Sequence, residues 1–435
     1  VAFSFLATFH YFKRTSPNMI RTAPVELVLT RDVWDTAVRP SLVEPDVFAV
    51  GRLRWQRTSD ASRLLADDLL VTRTVPTGAE RPPLDDWFVL AVVAGDVGRM
   101  AEDLVRRVAP KRSQVLVLLV LNSQDRTCWQ GLVAHEGDVR PLDGFRIVGP
   151  APLAVSRYPR LVENEPDPLR WSRTAAALGE TVLRRVQNSE IVLVGAGRNG
   201  SQLAFQFAAL GVRQLRLIDA DVMQVENLDA MPGMTTRDVG RPKVVALARR
   251  LVRFRPDLSI TALSKSLLDR DAVEHIRTRP ADLMVTAVDK DTPRLATSLL
   301  SRETLTPHLD VATEVRPDPG GNILTGDARL LLPRAGCVAC VGGLADRDQT
   351  LYELAAPPGA LRRGELQPWN VQRPGGSLIT INQMTTATAI QLWLDLLAGH
   401  VHTSFWQRLR WEPGQGLTSN CSPVGAGDDC PYCRR

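Results

Sequence analysis

The chain has 435 residues, 44% of them apolar and 23% charged, a balance that allows two or three folded domains with a sizeable core. Its net charge of +5 is small for this length, and lysine supplies only five of its 53 basic residues, the arginines being scattered. No dense basic stripe marks a nucleic-acid surface, and no run of 18 apolar residues marks a membrane span, so a cytoplasmic protein is expected.

Residues 1–22 read as an N-terminal extension. Their short apolar run, VAFSFLATFHYFKR, carries its positive charges on the wrong side for a signal peptide. Residues 23–155 then mix strands and helices. VELVLT, DLLVTRTV, WFVLAVVA and VLVLLVLN are predicted strands, and VGRMAEDLVRRVAP is a predicted amphipathic helix. The proline-rich VGPAPLAVSRYP closes this smaller α/β domain.

From residue 160 to 435 the pattern becomes helix, strand, helix, strand. LRWSRTAAALGETVLRRV predicts one helix, IVLVGAG a strand, GSQLAFQFAALG a helix and QLRLIDA a strand. GRPKVVALARRLVRF and DAVEHIRT continue the helices, while SITALSKSL and LMVTAVD continue the strands. LDVATEV and ILTGDARLLL follow as strands, then an irregular region over 341–374, a long helix and a strand-like tail. Such alternation predicts an α/β fold with a mostly parallel, Rossmann-like sheet and a ligand at the strand C-termini.

The chemistry concentrates in a few residues. Gly195, Gly197 and Gly200 form a GxGxxG turn between strand and helix, suited to bringing backbone N–H groups against phosphate. The next strand ends in Asp219 and Asp221, and Asp219 would clamp ribose hydroxyls of NAD as readily as those of ATP. Asn227, Lys243 and Asp289 follow. Taken singly, Lys243 reads as a solvated helix start, and Asp289 and Asp291 as caps of the helix beginning TPRLATSLL. Four cysteines form two CxxC pairs, Cys337/Cys340 and Cys430/Cys433, a thiolate set suited to tetrahedral Zn²⁺. Neither pair has a thioredoxin-like βαβ context, which disfavours the redox reading.

In their order and register, GAGRNGS, IDADVMQVENL, VGRPK and VDKDTPR resemble the ThiF/MoeB/HesA adenylyltransferase family, relatives of the ubiquitin-activating enzymes. The resemblance runs from about Leu169 to the C-terminus. It implies a ThiF-type adenylation domain, stapled by zinc between the two CxxC pairs. It implies ATP-dependent adenylation of the C-terminal carboxylate of a ubiquitin-like or sulfur-carrier protein ending in Gly-Gly, giving acyl-adenylate and pyrophosphate. Adenylation of a ribosomal peptide, and a nucleotide-binding scaffold without catalysis, are the alternatives.

On that resemblance, Gly195, Gly197, Gly200, Asp219, Asp221, Asn227 and Lys243 bind the nucleotide. Asp289 holds Mg²⁺, Lys243 contacts phosphate, Asn227 hydrogen-bonds phosphate or metal-bound water, and Arg173 reaches phosphate across a homodimer interface. The chain departs from the family pattern at Ala230 and Met231, where the family has Arg and Gln, so one phosphate-contacting guanidinium is missing; Arg237 and Arg241 stand in the same loop. Residues 341–420 contain no cysteine, which leaves Cys421 and Cys128 as the thiols outside the zinc set. The N-terminal domain resembles the MPN/JAB fold in degenerate form. It lacks HxHP, and its His135 stands alone, so an inactive peptidase fold that binds substrate or partner is expected there.

Overall fold

In the computed structural model the described residues are 24–38, 48–57, 62–72, 88–94, 115–121, 129–135, 138–156, 168–355, 376–427, 430, 432 and 433. The extension over 1–22, the predicted helix VGRMAEDLVRRVAP and Cys128 lie outside them. The described residues of Arg14–Val148 and Pro152–Asn164 form one compact unit, and those of Gly149–Ala151 and Glu165–Arg435 form another.

The first unit is built on nine strands: β1 (Val25–Thr30), β2 (Phe48–Arg57), β3 (Ser62–Thr72), β4 (Phe88–Ala94), β5 (Val115–Leu121), β6 (Trp129–His135), β7 (Asp138–Pro141), β8 (Gly144–Val148) and β9 (Leu153–Ser156). They make one mixed sheet in the order β7-β6-β5-β4-β2-β3-β1-β8-β9. Val25, Leu27 and Leu29 of β1 are fully buried, as the β-branched and leucine-rich run VELVLT requires of an interior strand. His135 ends β6.

The second unit opens with two helices, α1 (Pro168–Leu178) and α2 (Glu180–Asn188), where one was expected. The apolar period runs through both, but Gly179 at φ +79° stops the first helix and N-caps the second. Then come β10 (Glu190–Val194), α3 (Arg198–Leu210), β11 (Gln214–Ile218), α4 (Lys243–Phe254), β12 (Ser259–Leu263), α5 (Arg270–Thr278), β13 (Leu283–Thr286), α6 (Asp291–Thr304), β14 (His308–Arg316) and β15 (Ile323–Leu331). After these lie α7 (Arg347–Ala355), a helix inside the region expected to be irregular, then α8 (Ile379–Ala398), β16 (Ser404–Glu412) and β17 (Gly416–Val424).

The sheet order is β12-β11-β10-β13-β14-β15-β16-β17. The first five strands are parallel and β15 to β17 are antiparallel. The fold is therefore the expected Rossmann-like α/β type, with an antiparallel extension. Both faces of the sheet are covered. Ile191 and Leu193 of β10 join the core with Phe207 of α3, Leu247 of α4 and Trp393 of α8. Val192 and Val194 join Ile276 of α5 and Leu295 and Leu300 of α6 on the other side.

Helix α8 is seated hard against the sheet. A Cβ at Gly326 of β15 would lie 1.8 Å from Thr385 Oγ1, and Phe207 meets Trp393 edge-on at 5.2 Å. Trp393 is 1% exposed, so its truncation to alanine would cost about 3–5 kcal/mol. Among the described residues no helix is long and apolar enough to cross a membrane.

The chain runs outward from β10 through β11 to β12, then crosses back to β13. That reversal opens a crevice at the C-terminal ends of β10 and β13, the usual ligand position in such sheets.

Candidate nucleotide and metal sites

The glycine turn lies in that crevice, and its three glycines do different work. Gly195 has φ +95°, and a Cβ there would strike Ala287 O at 2.5 Å. A Cβ at Gly200 would lie 1.9 Å from Gly195 O. These two glycines therefore let β10, β13 and α3 close on one another. Around Gly197 the position of a Cβ is open, with nothing within 4 Å. Gly197 is also the N-cap of α3, and no side chain caps that helix start. Space, backbone N–H groups and the positive end of the helix dipole thus coincide at one point, which suits an anion.

Asp219 leaves the end of β11 and turns back over this loop. Its Oδ2 accepts from Ala196 N–H at 2.6 Å and its Oδ1 from Asp221 N–H at 2.8 Å. Burial pushes its carboxyl pKa above the ordinary value, against the pull of those two N–H groups and of Lys243. Lys243 starts α4, and its Nζ meets Asp221 Oδ2 at 2.8 Å. Its backbone N–H also bonds Asp221 O at 2.9 Å, so the two residues are joined twice.

Asn227 ends the 3₁₀ turn Val225–Asn227, and its Oδ1 accepts from Gln224 N–H at 3.0 Å. Arg198, in the first turn of α3, brackets this residue. Its Nη2 donates to Glu226 O at 2.7 Å, and its guanidinium pairs with Asp229 at 2.9 Å. Sequence reasoning passed over Arg198, because it occupies a variable position of the glycine motif. Ala230 is 2% exposed with its carbonyl bonded by Gln202 Nε2, so its side chain faces the interior. Arg237 and Arg241 are exposed.

The two aspartates after β13 separate cleanly. Asp291 is structural: its carboxylate accepts from the N–H groups of Ala345 and Asp346 and from Arg294. Asp289 is exposed and makes no hydrogen bond or ion pair among the described residues. It follows Ala287 and Val288, the residues against which Gly195 is seated, so a free carboxylate stands beside the glycine loop. Arg173 lies exposed on α1, and no hydrogen bond or ion pair joins it to the other candidate residues.

Beneath the crevice lies a buried polar network. Asp310 of β14 is fully buried and bonded by Arg294 of α6 at 2.5 Å and by Arg329 of β15 at 2.9 Å. Burial alone would raise its pKa, but Arg294 and then Arg329 hold the carboxyl well below the ordinary range. Thr286, the last residue of β13, donates to Asp310 Oδ1 at 2.7 Å. Its hydroxyl therefore accepts from His308 Nε2–H at 2.8 Å, and His308 Nδ1 has no partner. Burial pushes His308 down to about 4.

The four paired cysteines converge past β15. Sγ separations are 3.7 Å for Cys337–Cys340, 3.6 Å for Cys337–Cys430 and 3.4 Å for Cys340–Cys433, and all four sulfurs lie within 4.8 Å. Zinc–sulfur bonds of about 2.3 Å place tetrahedral sulfurs roughly 3.8 Å apart. The donor set and spacing therefore fit Zn²⁺. Each CxxC forms a tight turn, with Cys340 N–H bonded to Cys337 O and Cys433 N–H to Cys430 O. Cys421 sits exposed on β17, outside this cluster.

The sequence model of the ThiF family matches residues 171–405. A sulfur carrier protein adenylyltransferase of Thermus thermophilus is 33% identical over 105 residues, which are 24% of this chain and 38% of that protein. The chain thus spans well under half the length of that relative. A SAMP-activating enzyme E1 of Haloferax volcanii is 27% identical over 251 residues, 57% of this chain and 82% of that one. Among solved structures, Escherichia coli MccB with ATP is 16% identical with a TM-score of 0.45, covering 61% of this chain and 74% of that chain.

Proposed function

The chain belongs to the ThiF family, and from that premise and the geometry of its crevice we propose that it is an adenylyltransferase. It would join the C-terminal carboxylate of a ubiquitin-like or sulfur-carrier protein to the α-phosphate of ATP. The observation that carries this reading is the meeting of the glycine turn, held by Asp219, with the unpartnered Asp289 at the end of the neighbouring strand.

In the reaction a carboxylate oxygen bonds to the α-phosphorus as the bond to the bridging oxygen breaks, and pyrophosphate leaves. Two anions must be brought together, so the protein's task is positioning and removal of charge. Asp219 offers its carboxylate to the ribose hydroxyls while holding the loop through Ala196. Gly197 and the start of α3 admit the phosphates to backbone N–H groups. Lys243 supplies a compact positive charge, and Asn227 a side-chain amide N–H.

Mg²⁺ fits this site through Asp289, an exposed carboxylate that no ion pair holds among the described residues, and when bound it would offset charge on the phosphates. Zinc in the four-cysteine cluster is structural. Arg173, exposed on α1, is proposed to act in the partner's site of a homodimer. Among the described thiols, Cys421 is the one outside the zinc set, and it is exposed.

Exchange of labelled pyrophosphate into ATP tests this directly, because adenylate formation is reversible. Exchange should require MgATP and a carrier protein ending in Gly-Gly. ATP binding without exchange across a panel of such carriers would refute the proposal. Mixing Arg173→Ala with Asp289→Ala protein should restore part of the activity if the two residues come from different chains; no recovery refutes the shared site.

A further inference from the structure

Lys243 and Arg198 are the cations of the described residues held beside the glycine turn, and each rests on an exposed aspartate. Lys243 is held by Asp221, whose side chain is 69% exposed, and Arg198 by Asp229, at 64%. The sequence-based expectation left the site one guanidinium short, and the buried Ala230 cannot supply it.

We propose that Arg198 joins Lys243 as a second cationic phosphate ligand on the loops around the glycine turn, parked on Asp229 until ATP binds. The proposal rests on the adenylation reading above. Four observations carry it. Arg198 immediately follows Gly197, the one glycine of the turn with open space at its Cβ. It lies in the first turn of α3, so its flexible side chain starts where an anion would meet the helix N–H groups. Its side chain is 24% exposed, and its guanidinium's partners are the exposed Asp229 carboxylate, the carbonyl of Glu226 and, at 3.5 Å, that of Ser377. Finally, those partners bracket Asn227, so the group already sits on the turn that faces the phosphates.

An ion pair with an exposed carboxylate is weak. A polyphosphate carries more charge, accepts a planar guanidinium through two oxygens, and is partly desolvated against the loop. ATP therefore outcompetes Asp229 for Arg198.

The test is equilibrium binding of MgATP and of adenosine to full-length protein. Arg198→Ala should weaken MgATP roughly tenfold or more and leave adenosine binding unchanged, since adenosine has no phosphate. Asp229→Asn should tighten MgATP, because it releases the guanidinium. Equal MgATP affinity in wild type and Arg198→Ala overturns the proposal. So does an equal loss for adenosine and MgATP, which would make Arg198 a support of the turn. Weakening by Asp229→Asn to the level of Arg198→Ala overturns it too, since the ion pair would then be what matters. Should Arg198→Ala fail to fold, as judged by its melting transition, Arg198→Gln and Asp229→Asn decide in the same way. Wild-type protein that binds neither ligand would instead defeat the nucleotide reading itself, an outcome distinct from all of these.

Discussion

The Asp219 carboxylate holds the N–H of Ala196 at 2.6 Å, so the end of one strand fixes the turn that leaves its neighbour. Loop shape and the proposed ribose binding therefore depend on the same side chain. Asp219→Ala strands the Ala196 and Asp221 N–H groups, and should cost about 1–3 kcal/mol of stability where they stay dry. Nucleotide affinity should fall at the same time. Melting curves with and without MgATP check both: the variant should melt earlier and show little stabilisation by ATP.

Asp289 and Asp291 are two residues apart and should behave oppositely. Asp289→Ala removes an exposed, unpartnered carboxylate, so stability should change by less than about 0.5 kcal/mol while pyrophosphate exchange is lost. Asp291→Ala strips the acceptor from Ala345 and Asp346 N–H and a partner from Arg294, and should destabilise by about 1–3 kcal/mol. Full exchange in Asp289→Ala would remove that residue from the site.

Purified, reduced protein should contain about one zinc ion per chain. Cys337→Ser and Cys433→Ser should lose the metal and melt earlier, whereas Cys421→Ser should keep it, because Cys421 lies outside the cluster. Metal analysis of the variants alongside wild type reads this out.

His308 makes a pH prediction. In the unfolded chain it takes a proton near its ordinary value of about 6.5; buried in the fold it does so only near 4. Between those values the unfolded state binds the extra proton, so stability falls as pH drops through this window. The loss should approach about 3 kcal/mol, and further loss below it comes as Asp310 is forced to protonate. Denaturation midpoints from pH 7 to 4 should slope steeply in wild type and less so in His308→Gln. Equal slopes would mean that His308 is not the titrating group.

Much of this was legible in the chain because it depends on local pattern. The run IVLVGAG with its glycine spacing announces β10 and the crevice, and the paired CxxC motifs announce the cluster. Gly179 was harder: the apolar period continues across it, and a glycine inside a helix is often tolerated, so the break needs its positive φ to be seen. Helix α7 is hidden by surroundings rich in glycine, proline and arginine. The buried network was illegible for another reason. Asp310 stands opposite Arg329, and Asp327 opposite Arg408, only once β14, β15 and β16 are in register. Read singly, those charges look like solvated residues on strand faces. Arg198 was missed because its meaning comes from Asp229, 31 residues away.

The spacing of the cysteine pairs also bears on when the fold can be completed. Partners across the cluster, Cys337 with Cys430 and Cys340 with Cys433, are 93 residues apart. At synthesis rates of about 5–20 residues per second, roughly 5–20 s pass between emergence of the first pair and the second. Throughout that interval β10 to β15 are already made, while a two-thiol half-site stands exposed. A metal held by all four sulfurs would therefore be captured late, only after the second pair has been made. A nascent chain stalled in this interval would present reactive thiols and an unpaired β15 edge to the cell's quality-control machinery.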